Sequence, residues 1–305
     1  MVEMKRLRSL ICGFTLLLLF STVLACKVSD DAVAASSQMT STAAGLNSYY
    51  SALADSVTDT IALYELDSVI SGIPFNSDDR KLPEDTRTEI LKRRELAKSL
   101  GTLASSMATL SASKSPADVE TAATSLGNQL IQVKALPGGS PVPDVVGKAG
   151  NYLLQVIQQH KEKEAARAVD QSLAAVGDLF EKEKPVYDSI EKTHMFEASQ
   201  VAKDLTNANG VDPTPMLSPA LKPFGLTPLP ATKQLQDSLK SLALSRLQNS
   251  AEETIKNEVD ASSAMLTALR EMSTRIHLLA TERPMPIRGN PFSLKFVESW
   301  AASAI

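Results

Sequence analysis

The 305-residue sequence predicts an all-α fold, an elongated antiparallel helical bundle. Three observations carry that expectation. Apolar residues step by three and four along almost every segment, the spacing of one helix face. No segment alternates with a strand period for long enough to build a sheet, and the periodic segments are joined by clusters of proline and glycine. Aromatic residues are only 5% of the chain, whereas alanine, leucine and serine dominate. That balance suits helices that approach closely through small side chains.

In chain order, the first element is a basic start with Lys5, Arg6 and Arg8, an apolar run from Leu10 to Leu24, and Ala25 before Cys26. This is the layout of an export signal. The run falls short of the roughly 18 to 20 residues that cross about 30 Å of hydrocarbon, so residues 1–25 are read as a signal rather than a permanent span. Cys12 and Cys26 are the two cysteines. Cleavage before Cys26 would leave one thiol, and no disulfide framework or cysteine metal site.

The "VLAC" ending resembles the lipobox of bacterial lipoproteins. The family more often has leucine three residues before the cysteine and a small residue two before; Val23 and Leu24 stand there in this chain. The resemblance implies that Val23, Leu24 and Ala25 are recognised by a signal peptidase and that Cys26 becomes a diacylglyceryl-bearing N-terminus. Two acyl chains make a stable anchor, at about 0.8 kcal/mol per buried methylene. It also implies a place in a bacterial envelope, at the outer membrane facing the periplasm or at the cell surface, because Lys27 rather than aspartate follows the cysteine. The resemblance covers the signal alone.

Residues 26–35 read as a lipidated tether. The first helix follows, with Leu46, Tyr50, Leu53, Val57, Ile61 and Tyr64 in its stripe and Gly72 and Pro74 at its end. A second is predicted over 84–113, with Thr86 and Glu89 spaced as a capping box. "SPAD" opens a third, with Ser115 as N-cap, Pro116 as the first helical residue and Asp118 facing free amides. The stretch "PGGSPVPD" from Pro137 ends it.

From Asp144 to Asn209 no strong break is evident apart from Pro185, which is compatible with either a kinked continuation or a new helix. About 11 residues from Gln158 carry no large apolar side chain, roughly 16 Å of helix with nothing to pack. The expectation is a long helix that bridges two bundles or protrudes past one. Six prolines between Val211 and Pro230 make that stretch a loop. A last long helix is predicted from Ala231 to Glu282, its stripe including Leu235, Leu239, Leu242, Ile255, Val259, Leu269, Met272 and Ile276. A short terminal helix follows Asn290. The division is then an N-terminal bundle over 36–163 and a C-terminal helical region over 164–305 that includes the proline-rich loop 211–230.

The formal charge is −4, and near −6 once the basic signal is set aside. An acidic chain without a basic stripe has no footprint for nucleic acid and none for anionic lipid surfaces. There is no G-x-S-x-G elbow, no P-loop and no G-x-G-x-x-G. Glu191 and His194 form one E-x-x-H pair, the spacing that carboxylate-bridged metal bundles use twice. With no second pair, they read as a solvated pair on a helix surface and only weakly as metal ligands. His160 and Glu164 read as a wet i, i+4 contact. Two apolar sets are candidate binding surfaces: Met216, Leu217, Leu221 and Phe224 in the proline-rich loop, and Phe292, Phe296 and Trp300 at the C-terminal end. Their alternative is ordinary packing.

The expected function is that of a non-enzymatic, membrane-anchored scaffold, adaptor or binding module without a cofactor, serving an envelope protein or an apolar ligand. Two other classes stand against it, a membrane-active toxin-like helical protein and a metal-dependent helical-bundle enzyme.

Overall fold

The computed structural model describes residues 3–110, 116–159, 162–212, 223 and 233–280. Among them are six helices and no strand: α1 Glu3–Ser71, α2 Ser77–Leu110, α3 Pro116–Gln132, α4 Asp144–Gln158, α5 Glu162–Asn207 and α6 Lys233–Ala280. The all-α helical bundle is therefore the fold.

Helices adjacent in sequence pack antiparallel. Between α1 and α2, Ala43 lies against Gly101 while Arg87 Nε donates to Thr58 Oγ1 over 2.9 Å. Between α5 and α6, Ser262 meets Asp188 and Arg270 meets Glu181. α1 runs parallel to α5, with Tyr49 against Phe180 and Ser56 against Glu191. In cross-section α1, α2, α3, α4 and α5 close a ring, and α6 lies along the seam between α1 and α5. At 1.5 Å per residue, α5 and α6 are each about 70 Å long, so the bundle is elongated. One apolar core takes residues from all six helices, among them Met39 in α1, Leu100 in α2, Leu126 in α3, Leu153 in α4, Phe180 in α5 and Met272 in α6.

The local chemistry explains the ends of the elements and several departures from the sequence expectation. α1 stops where Gly72 takes a positive φ of 70°, a conformation that costs glycine nothing. Its helical path includes residues 27–35, and Ala35 and Ser36 are already buried. The backbone over 27–35 is thus helical rather than extended. α2 begins seven residues earlier than expected, because Asn76 accepts the Asp78 backbone amide on its side chain and Asp78 and Asp79 follow in the first turn. Negative charge there complements the helix dipole. Thr86 and Glu89 consequently lie inside the helix, and Thr86 donates back to the Leu82 carbonyl instead of capping.

α3 starts on Pro116 with Asp118 in its first turn, as expected; Ser115 lies outside the described residues. α3 and α4 touch backbone to backbone. A Cβ placed on Gly150 would lie 2.8 Å from the Gly127 carbonyl oxygen, so only glycine permits this approach.

The single helix expected from Asp144 to Asn209 is not formed. α4 ends at Gln158, and α5 leaves in the opposite direction from Glu162, with Tyr152 donating to Glu164 across the hairpin at 3.4 Å. The stretch without large apolar residues is where the chain reverses, and reversal lets Leu153 and Val156 join the same core as Leu173 and Val176. α5 continues through Pro185 as one helix. Its C-terminal end is a Schellman arrangement: Asn209 has φ 57°, Gly210 N donates to Leu205 O, and Asn209 N donates to Thr206 O.

The stripe proposed for α6 holds in its second half, where Leu269, Met272 and Ile276 are buried. In the first half Leu242 is 50% exposed while its neighbour Ala243 is 0% exposed, so the buried face there does not include Leu242.

Candidate functional site

The described surface has a cleft of about 530 Å³ between α1, α2, α5 and the turn joining α3 to α4, within the range of small-molecule sites. Each wall follows from local sequence. "LPGG" at residues 136–139 is a type II turn: Pro137 precedes Gly138 at φ 72°, and Gly139 N donates to Leu136 O at 2.9 Å. A Cβ on Gly139 would come within 3.3 Å of Val186 Cγ2, so the second glycine lets the turn sit against α5. Pro83 and Pro185, the prolines inside α2 and α5, also line the cleft. Each lacks the amide that would satisfy the carbonyl one turn earlier. Val57, Val186 and Ile190 form an apolar floor, and hydroxyls from Thr60, Ser189 and Thr193 are interspersed. Lys182 is the single charged residue in the lining.

Beneath the cleft, a buried ion pair holds α2, α5 and the connecting segment together. Arg93 is 0% exposed and Glu183 2%. Arg93 Nε donates to Glu183 Oε2 at 2.6 Å, and a second guanidinium nitrogen contacts Oε1. The remaining donors reach Glu89 O at 2.8 Å and Lys134 O at 2.7 Å. Tyr187 completes the carboxylate by donating to Oε2 at 2.5 Å. Burial alone would favour loss of the Arg93 proton, but the Glu183 hydrogen bond and charge outweigh it and raise the guanidinium pKa. Around this pair Tyr49, Tyr50, Phe180 and Tyr187 pack with ring centroids 5.4 to 6.3 Å apart. Burial drives the phenol pKa of Tyr50 and Tyr187 upward, so both stay protonated donors. Through Glu183 and Tyr187 this cluster ties α2 to the α5 segment that carries Lys182 and Val186 of the cleft.

One turn further along α5, the E-x-x-H pair lies in a different setting from the one expected. Glu191 is 2% exposed, at the junction of α1, α5 and α6. It is not a solvated surface pair, because α6 covers it. Ser56 Oγ donates to Glu191 Oε1 at 2.9 Å, while His194 Nδ1 stands 3.9 Å from Oε2, beyond hydrogen-bond range. Across the seam Glu258 is 6% exposed. Its pKa is pushed up to about 9, first by burial and then by the charge and hydrogen bond of Glu191, with Asp188 adding to it. Glu191 Oε2 and Glu258 Oε2 are enclosed without a donor from another residue. One proton held by Glu258 and directed at Glu191 supplies it. Asp188 is separately held by Lys184 and Ser262, each at 2.8 Å. Among the described residues no three histidine, cysteine or acidic side chains are placed to hold a metal ion.

No protein-family model matches this chain, and no curated protein or solved structure matches it.

The other residues singled out from sequence are not brought into this site. Met216, Leu217, Leu221, Phe224, Phe292, Phe296, Trp300 and His160 lie outside the described residues. Val23, Leu24, Ala25 and Cys26 fall where side chains are not described. No described helix is long and apolar enough to cross a membrane. A second groove of about 520 Å³ runs between α5 and α6 beside the exposed Phe196.

Arg93, Glu183 and Glu258 were missed in the sequence, although a signal exists. Each stands on its helix's apolar stripe: Arg93 between Ile90 and Leu96, Glu183 between Phe180 and Tyr187, Glu258 one turn before Ser262 and Met265. A charge in core register has to be paired or neutralised.

Proposed function

We propose that this protein is a lipid-anchored helical binding module of a bacterial envelope, held by Cys26 and offering the α1/α2/α5 cleft to a small ligand. The cleft is the observation that carries the reading. Its walls are set by a type II turn, two helix-internal prolines and a buried ion pair, so the cavity is preformed and little ordering opposes binding. The lining combines apolar surface, hydroxyls and one ammonium, and includes no carboxylate, imidazole or thiol. That chemistry suits holding a ligand rather than turning it over. The lipobox resemblance and Lys27 support an outer-membrane position facing the periplasm, with exposure at the cell surface as the other orientation.

Membrane fractionation after metabolic labelling with an alkyne-bearing fatty acid tests the anchor. Wild-type chain should carry label and sediment with membranes, and Cys26→Ser chain should do neither. Equal labelling of both would remove the anchor from this reading. Thermal-shift screening of the Cys26→Ser chain against amphiphiles tests the cleft, with stabilisation expected from the class that fills it.

A further inference from the structure

The reading of the cleft as a binding site can be taken further, to the chemistry of its ligand. The slot has a direction. Along α5 its lining runs from Lys182 to Thr193, eleven residues, or about 16 Å of helix. At the Lys182 end the ammonium is exposed at the rim and has no ion-pair partner among the described residues. Val186, Ile190 and Val57 then make a continuous apolar floor. At the far end Tyr64 stacks on Phe75, ring centroids 6.1 Å apart. The Lys182 end therefore attracts an anion, and the middle favours hydrocarbon.

We infer that the cleft binds a single-chain fatty carboxylate, its head on Lys182 and its tail laid along Val186, Ile190 and Val57 towards Tyr64. The inference rests on the proposed binding role of the cleft. Charge complementarity chooses the head group: the lining holds one cation and no anion, and an unpaired lysine at a rim directs and orients an anionic partner. The length of the slot matches an extended medium-length chain, and burial of each methylene contributes about 0.8 kcal/mol.

The test is isothermal titration of the full chain carrying Cys26→Ser, which removes any acyl group of its own, with dodecanoate, dodecanol and dodecylamine. Dodecanoate should bind once per chain and at least tenfold more tightly than dodecylamine. Lys182→Gln should weaken dodecanoate about fivefold, the order expected of a rim charge pair, and leave dodecanol unchanged. Ser189→Trp, which fills the slot, should abolish binding of both; Thr193→Trp serves the same end if the first variant melts early. If dodecanoate and dodecanol bind alike and Lys182→Gln alters neither, the head-group assignment is wrong while the cleft remains a binding site. Preference for dodecylamine overturns the assignment in the same way. If no amphiphile binds, or binding survives both tryptophan variants in folded protein, the cleft is not the site and the binding role falls with it.

Discussion

Replacing Glu258 by glutamine should stabilise this protein at neutral pH, and the gain should vanish in acid. In the unfolded chain the carboxyl ionises near its ordinary value of 4.5, whereas in the fold it keeps its proton up to about pH 9. A raised pKa means that the fold binds a proton the unfolded chain has released. The associated stability is complete below pH 4.5 and is lost as pH rises towards 9. Each pKa unit corresponds to about 1.4 kcal/mol, so at pH 7 the accumulated loss is on the order of 3 kcal/mol. Glutamine has the same shape, never ionises, and offers an amide donor to Glu191 where the acid offered its O–H. It should recover most of that loss, a rise in Tm of about 6 °C or more.

The groups facing this position are Tyr49 from α1, and Asp188 with its Lys184, Glu191 and His194 from α5. All remain in the variant, so the difference between variant and wild type isolates the Glu258 proton. Urea unfolding followed by circular dichroism from pH 4 to 9 measures it. Curves that stay parallel across that range, or a variant less stable than wild type at pH 8, would refute the shared-proton account.

Four other outcomes can be measured. Arg93→Met should cost about 3 to 5 kcal/mol in urea unfolding, because it leaves Glu183 buried without its cation; Arg93→Met with Glu183→Met should regain most of the loss. Gly150→Ala should cost about 1 to 3 kcal/mol, since its methyl meets the Gly127 carbonyl and Leu130 Cβ within 3 Å. By contrast Gly147→Ala, with nothing within 4 Å, should gain about 0.5 to 1 kcal/mol from helix propensity. Cys26→Ser should release the chain from the membrane fraction without changing its helical circular dichroism, and a variant that still sediments with membranes counts against the anchor.

The helices themselves were legible because burial imposes a period. Leu46, Tyr50, Leu53 and Val57 repeat at three and four and are all core residues of α1. Pro116 and Gly72 mark boundaries by what their backbones can and cannot do. Elements misread from sequence depended on distant partners. Thr86 with Glu89 looks like a capping box, but Asn76 captures the N-terminal end of α2 ten residues before Thr86. The wet stretch from Gln158 fits a bridging helix equally well in isolation; whether the chain continues or reverses depends on whether Leu153 and Leu173 can share one core. Leu242 is apolar and fits the stripe, yet it remains outside because the face that α6 buries at that level carries Ala243 instead.

Periodicity, backbone restrictions and composition belong to residues a few positions apart, so the sequence by itself determined the all-α class, most helix ends and the close packing through small side chains. Sites belong to residues far apart. Arg93 and Glu183 are 90 positions apart, and Glu191 meets Glu258 only because α6 lies along the α1/α5 seam. Whether Glu191 is a wet surface carboxylate or half of a proton-sharing pair is decided by the helix that covers it. Burial sets the cost of a charge, and burial is a property of the assembled bundle rather than of any segment.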